Sequence, residues 1–205
     1  MTLLIVIFTS VVSLVAFRWK HLLELFDLSA YRTVHHREYY RSLTHAFLHA
    51  DYVHLIVNML VLYSFGTGIE GIFDQLEHQG VIHSSALSFS LLYFSAIIVS
   101  SASTIIKYRD DAGYSAVGAS GAVSAVVFTH IFFSPLQKIY FYAVLPVPGI
   151  IFGVLYLVYS TFMGRRKQDN INHDAHLWGA LFGLIYPLLL DPGLLRLFIE
   201  NLTHR

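Results

Sequence analysis

Six runs of mostly apolar residues follow one another along the chain, at residues 3–17, 52–69, 86–106, 116–133, 139–163 and 175–190. None alternates apolar and polar positions as barrel strands do. A helix needs about 20 predominantly apolar residues to cross the hydrocarbon of a bilayer, so each run predicts a membrane-spanning helix. The first and last are short, which protein neighbours or a thinner bilayer accommodate. The fifth is expected to break at Pro146 and Pro148. The first has neither a basic leader nor a small-residue cleavage site after it, and reads as a retained helix rather than a signal peptide. No repeat, low-complexity tract or linker interrupts the pattern. Residues 1–205 therefore read as one all-α domain, a polytopic membrane protein of six helices.

Composition sharpens that picture. The chain is 56% hydrophobic and only 13% charged, against roughly 25% charged in soluble domains. Thirteen Lys and Arg balance thirteen Asp and Glu, so there is no basic excess for nucleic acid. With no cysteine, disulfides, thiolate metal sites and a cysteine nucleophile are excluded together. The segment between the first two runs, "FRWKHLLELFDLSAYRTVHHREYYRSLTHAFLHAD", is a long loop whose aromatic and basic residues suit a membrane interface. Ten cations (Arg18, Lys20, Arg32, Arg37, Arg41, Lys107, Arg109, Arg165, Arg166, Lys167) fall on one side of the six spans, and three (Lys138, Arg196, Arg205) on the other. By the positive-inside rule, that puts the N-terminus outside.

Four polar side chains inside the spans carry the candidate chemistry. His54 and Asn58 are four apart on the second span and share a helix face. Ser120 opens the fourth, within "VGASGAVSA", and His176 opens the sixth, within "HLWGALFG". Spans two, four and six enter the membrane from the same side, so all four groups gather near one face. A serine hydroxyl is a poor nucleophile until a base takes its proton, and a neutral histidine is the usual base. His176, Gly179 and Gly183 lie on one helix face, and small residues four apart let helix backbones approach closely. If that face meets the fourth span, His176 reaches Ser120. The Ser120 backbone N–H, the Asn58 amide and the His54 ring are then candidate donors to an oxyanion. Gly118 and Gly121 flank the serine and suggest a narrow substrate pocket. Each feature also has a plainer reading: small residues pack helices, and intramembrane histidines serve as hydrogen-bonders or proton relays. Asp174, two residues before His176, points elsewhere on a helix and suits an N-cap or first-turn acid.

At these residues the chain resembles the rhomboid family of intramembrane serine proteases. "GASG" at 118–121 is similar to the family's GxSG motif, "AHLWGALFG" at 175–183 to AHxxGxxxG, and "HLIVNM" at 54–59 to HxxxN. "YYR" at 39–41 resembles the aromatic-arginine motif of the first loop, with Tyr40 where tryptophan is usual. The resemblance implies a six-helix bundle of the rhomboid type in a plasma or bacterial inner membrane. It implies a Ser120–His176 dyad without a third acid, an oxyanion hole helped by His54 and Asn58, and neither cofactor nor metal. The substrates it implies are single-span membrane proteins, reached laterally past the fifth span and cut near the membrane face. It also implies a cytoplasmic N-terminus, opposite to the charge count. One position departs: Ser124 stands where bacterial members carry a tyrosine stacked on the catalytic histidine. Two rivals stand beside this reading. His45, His49 and His54 with His173 and His176 could form a metal site, although no HExxH is present and no acid lies inside a span. A non-proteolytic channel or membrane chaperone would also use buried polar groups.

Overall fold

The structure is a computed structural model that describes residues 1–141, 144–166 and 171–203. Lys167 and Arg205, counted among the cations above, lie outside the described residues. The chain is mostly helical. Helix α1 (Thr2–Arg18) leads into a structured first loop: α2 (His21–Phe26), strand β1 (Leu28–Ser29), α3 (Ala30–His35), α4 (Arg41–Thr44) and a 3-10 turn at His45–Phe47. The long helices α5 (Tyr52–His78) and α6 (Ser85–Tyr108) follow. Strand β2 (Ser115–Ala116) then leads to α7 (Ser120–Phe133), the hairpin strands β3 (Lys138–Phe141) and β4 (Leu145–Pro148), α8 (Gly149–Arg166), α9 (His173–Leu190) and α10 (Leu194–Thr203).

The helices are inside out relative to those of a water-soluble bundle. On α1 the buried stripe is Thr2, Ile5, Thr9, Ser13 and Ala16. Leu3, Leu4, Ile7, Phe8, Val11 and Leu14 face outward. Helix α8 buries Gly149, Gly153 and Ser160 and exposes Ile151, Val154, Leu155, Val158 and Phe162. Small residues inside and large apolar ones outside are what lipid contact and close helix packing select. Helix α7 is the exception that defines the centre. It is buried on nearly every side, with only Ser120 and His130 partly exposed.

Six full-length spans are not what the helices deliver. Helices α5 and α6, at 27 and 24 residues, are long and apolar enough to cross a membrane. A third candidate arises if α9 and α10, bent by 119° at their junction, count as one span. Helices α1 and α7 have 17 and 14 residues. Two runs read from apolarity alone are shorter as helices than expected. Residues 116–119 are not helical: Leu28 pairs with Ala116 and Ser29 with Ser115, and Gly118 has φ +127°. The fifth run opens as a hairpin in which Tyr140 faces Pro146 and Lys138 faces Pro148. Proline fits an isolated ribbon because it need donate no ladder hydrogen bond there. Helix α8 then starts at Gly149, with Ile150 N–H on the Pro135 carbonyl at 2.7 Å.

The second and sixth runs extend beyond expectation. Helix α5 starts on Asp51, whose side chain accepts from His54 N–H at 2.8 Å, and runs to His78. Helix α9 ends at the Asp191–Pro192–Gly193 turn, where the chain doubles back into α10. Asn201 of α10 donates to the Phe133 carbonyl at 2.8 Å, and Phe198 stacks on Phe132. The far end of α7 is closed in this way.

Candidate active site

The contact between α7 and α9 builds the site. A Cβ on Gly179 would fall on the Gly121 carbonyl, and one on Gly183 on that of Ala125. Thr129 donates to the Gly183 carbonyl at 2.9 Å along the same seam. With the backbones this close, His176 Nε2 lies 2.7 Å from Ser120 Oγ. For the hydroxyl to donate, Nε2 must be the bare nitrogen. Ser120 is the first residue of α7, so its backbone N–H belongs to the first turn. The N–H groups of that turn lack intrahelical acceptors and form the positive end of the helix dipole.

The chain reaches Ser120 through a loop held by the first loop. Gly118 N–H donates to the His45 carbonyl at 3.0 Å. At φ +127° a side chain at 118 would be strained, and a Cβ there would also lie 2.7 Å from Cε1 and 2.9 Å from Nε2 of His54. The imidazole edge of His54 thus lies directly on the loop that carries the serine. Gly121 faces Ser100 and α9. Gly118, Ser120 and Gly121 line a small cavity of about 20 Å³ together with Ser100 and Ser101. Asn58 is buried, and its Nδ2 donates to the His54 carbonyl one turn back at 2.9 Å. Among the described residues, no hydrogen bond joins it to Ser120.

The position of Ser124 is answered from another helix. Ser124 Oγ lies 2.7 Å from the Tyr156 hydroxyl of α8. The Tyr156 ring is nearly parallel to His176, at 23° and 6.4 Å between centroids. His173 meets His176 edge-on at 6.0 Å. Tyr156 had no local signal in the sequence, because its role depends on how α8 packs against α7 and α9. Asp174 does not face Ser120. It pairs with Lys107 of α6, whose Nζ also donates to the Gly164 carbonyl of α8. The N-cap of α9 is Asn172.

Two other histidines of the first loop, His45 and His49, are buried and hydrogen-bonded. His45 Nδ1 lies 2.9 Å from the Arg41 carbonyl, and burial lowers the pKa of His45 to about 4. His49 Nδ1 lies 2.9 Å from Ser13 Oγ, and burial, then the neighbouring His54, lowers its pKa to about 3. Arg41 is fully buried, with Nε on Glu38 and Nη1 on the Asp27 carboxylate, each at 2.5 Å. It fastens α4 to the turn after α2. Among the described residues, no set of three His, Asp or Glu side chains is grouped to hold a metal ion.

Fold, seam and motif spacing converge on one class. The Rhomboid domain matches residues 36–192, most of the chain. The chain belongs to the rhomboid family, and it is an integral membrane protein. Over 147 residues it is 31% identical to the RHOMBOID-like protein 12, mitochondrial, of Arabidopsis thaliana, covering 70% of this chain and 44% of that protein. Over 143 residues it is 31% identical to the Rhomboid protein 1, mitochondrial, of Saccharomyces cerevisiae, covering 69% of this chain and 39% of that one. The matched region spans less than half the length of either relative.

Proposed function

We propose that the protein is an intramembrane serine endopeptidase that cuts transmembrane-segment substrates near the membrane face. The observation that carries this reading is the 2.7 Å approach of His176 Nε2 to Ser120 Oγ across two different helices. Ser120 Oγ attacks the scissile carbonyl carbon while His176 Nε2 takes its proton. The carbonyl oxygen becomes an oxyanion and accepts from the Ser120 backbone N–H, the His54 ring and the second N–H of the Asn58 amide. His176 then protonates the leaving amine. Water, deprotonated by His176, attacks the acyl ester and frees the serine. No cofactor or metal takes part. Gly118 and Gly121 keep the wall around Ser120 low, which favours a small residue at the cut. Helices α1, α5, α6, α7, α8 and α9 cross the membrane as one domain. A spanning helix has its backbone groups bonded internally, so a single-span substrate must unwind locally before its carbonyl is exposed.

Reconstituted protein should cleave a single-span reporter and react with a fluorophosphonate probe. Ser120→Ala and His176→Ala should each abolish both, and the double variant should be no worse than either, because residues that act as a unit lose activity non-additively. Cleavage by Ser120→Ala above the buffer background would overturn the assignment. Labelling of a wild type that cleaves nothing would point to another acyl transfer.

A further inference from the structure

We propose that Asn172 is a positioning residue for His176, anchored on Thr104; this rests on the Ser120–His176 reading above. Asn172 caps α9, and its Oδ1 accepts from Ala175 N–H at 3.1 Å. That acceptor role fixes which way the carboxamide faces. Its Nδ2 is left to donate to Thr104 Oγ1 of α6 at 2.7 Å. The backbone carbonyl of the same residue accepts from His176 N–H at 3.2 Å. Two successive N–H groups, including that of the base itself, therefore hang on one residue. That residue is bonded to a threonine buried in the bundle.

The consequence for catalysis is geometric. N–H groups at the start of a helix have no intrahelical acceptor, so the cap decides where the first turn sits. His176 must come within hydrogen-bond reach of a serine on a different helix, and Asn172 sets its height and lean by referring α9 to α6. Among cap residues, Asp or Ser would accept from Ala175 N–H as well. The Thr104 hydroxyl could turn and donate to an ionised Asp, whereas Ser keeps the cap but is too short to reach Thr104. The Lys107–Asp174 pair joins the same two helices independently, so loss of the Asn172 bond should loosen the base without dismantling the bundle.

The test uses the full chain in lipid, with a single-span reporter and a fluorophosphonate probe. Thr104→Val removes the acceptor without touching α9. Asn172→Ser keeps the cap and removes the reach to Thr104. Each should lower kcat roughly tenfold with KM unchanged, since displacement of a catalytic group by about 1 Å costs up to about 10²-fold. Probe labelling should slow in parallel. The double variant should be no slower than either single one, because both remove one interaction. Thr104→Ser, which keeps the hydroxyl, should restore the rate. A labelled wild type whose kcat survives both Thr104→Val and Asn172→Ser overturns the positioning role alone. So does a loss that Thr104→Ser fails to rescue. A wild type that resists the probe overturns the serine-hydrolase reading and takes this role with it.

Discussion

Tyr156 holds His176 from the side, and its own hydroxyl is held by Ser124. The aromatic beside the candidate base thus comes from α8 rather than from α7. Tyr156→Ala should release the imidazole and lower kcat by about tenfold or more, while Tyr156→Phe keeps the ring and should stay within a few-fold of wild type. Steady-state turnover of the two variants separates ring contact from hydroxyl. Equal losses would assign the effect to the Ser124 bond. His54→Ala and Asn58→Ala each remove one candidate oxyanion donor, and such a loss typically costs about 10²–10³ in kcat. Full activity in both would leave the hole to backbone alone. The candidate residues Ser120, His176, His54 and Asn58 were legible in the sequence because motif spacing on single helices carries them. Tyr156 and Asn172 were not, since each acts across a helix contact that spacing along the chain does not encode. That Asp174 turns away from Ser120 follows from its offset of two from His176, but its partner Lys107 lies 67 residues away.

Helices α7 and α9 meet backbone to backbone, so the seam tolerates no side chain at its glycines. Gly179→Ala already puts a methyl group on the Gly121 carbonyl, and Gly179→Val is worse. Overpacking of this kind costs about 1–3 kcal/mol. Both variants should lose activity, with a lower melting temperature in detergent that is deeper for valine. Wild-type turnover in Gly179→Ala would mean that the seam opens in the working protein. The small-residue face was visible in "HLWGALFG", but not every element was. Apolarity marked residues 116–119 and 139–148 as parts of helices, yet an apolar run alone does not separate strand from helix. The paired prolines of β4 and the positive φ of Gly118 are what end the helical runs there. Helix α10 leaves no long apolar run in the sequence because it is amphipathic and short, with Arg196 and Glu200 paired on its polar side at 2.7 Å. It follows a turn rather than continuing a span.

The molecule as a whole stores pH sensitivity in its first loop. An unfolded histidine titrates near 6.5. Buried His45 and His49 titrate at about 4 and about 3. Below pH 6.5 the unfolded chain therefore binds protons that the folded chain refuses, so stability is full above 6.5 and falls as pH drops toward those values. The melting temperature in detergent should decline between pH 6.5 and 5, above the range in which ordinary carboxylates titrate. His49→Gln should make that decline shallower. A flat profile in the wild type would mean that water reaches these rings. The length of α7 carries a different consequence. Its 14 residues make a rod of about 21 Å at ~1.5 Å per residue, against a hydrocarbon layer of about 30 Å. A helix facing lipid would have to thin or dimple the bilayer around it. Helix α7 is surrounded by the other helices, so its shortfall need not be met by lipid, and α10 packs on its far end. The hydrolysis proposed above consumes water, and this missing length would give water a way to Ser120. Lengthening α7 by a single turn at its start would shift Ser120, the proposed nucleophile, by about 5.4 Å and fill the space that the proposed hydrolysis needs.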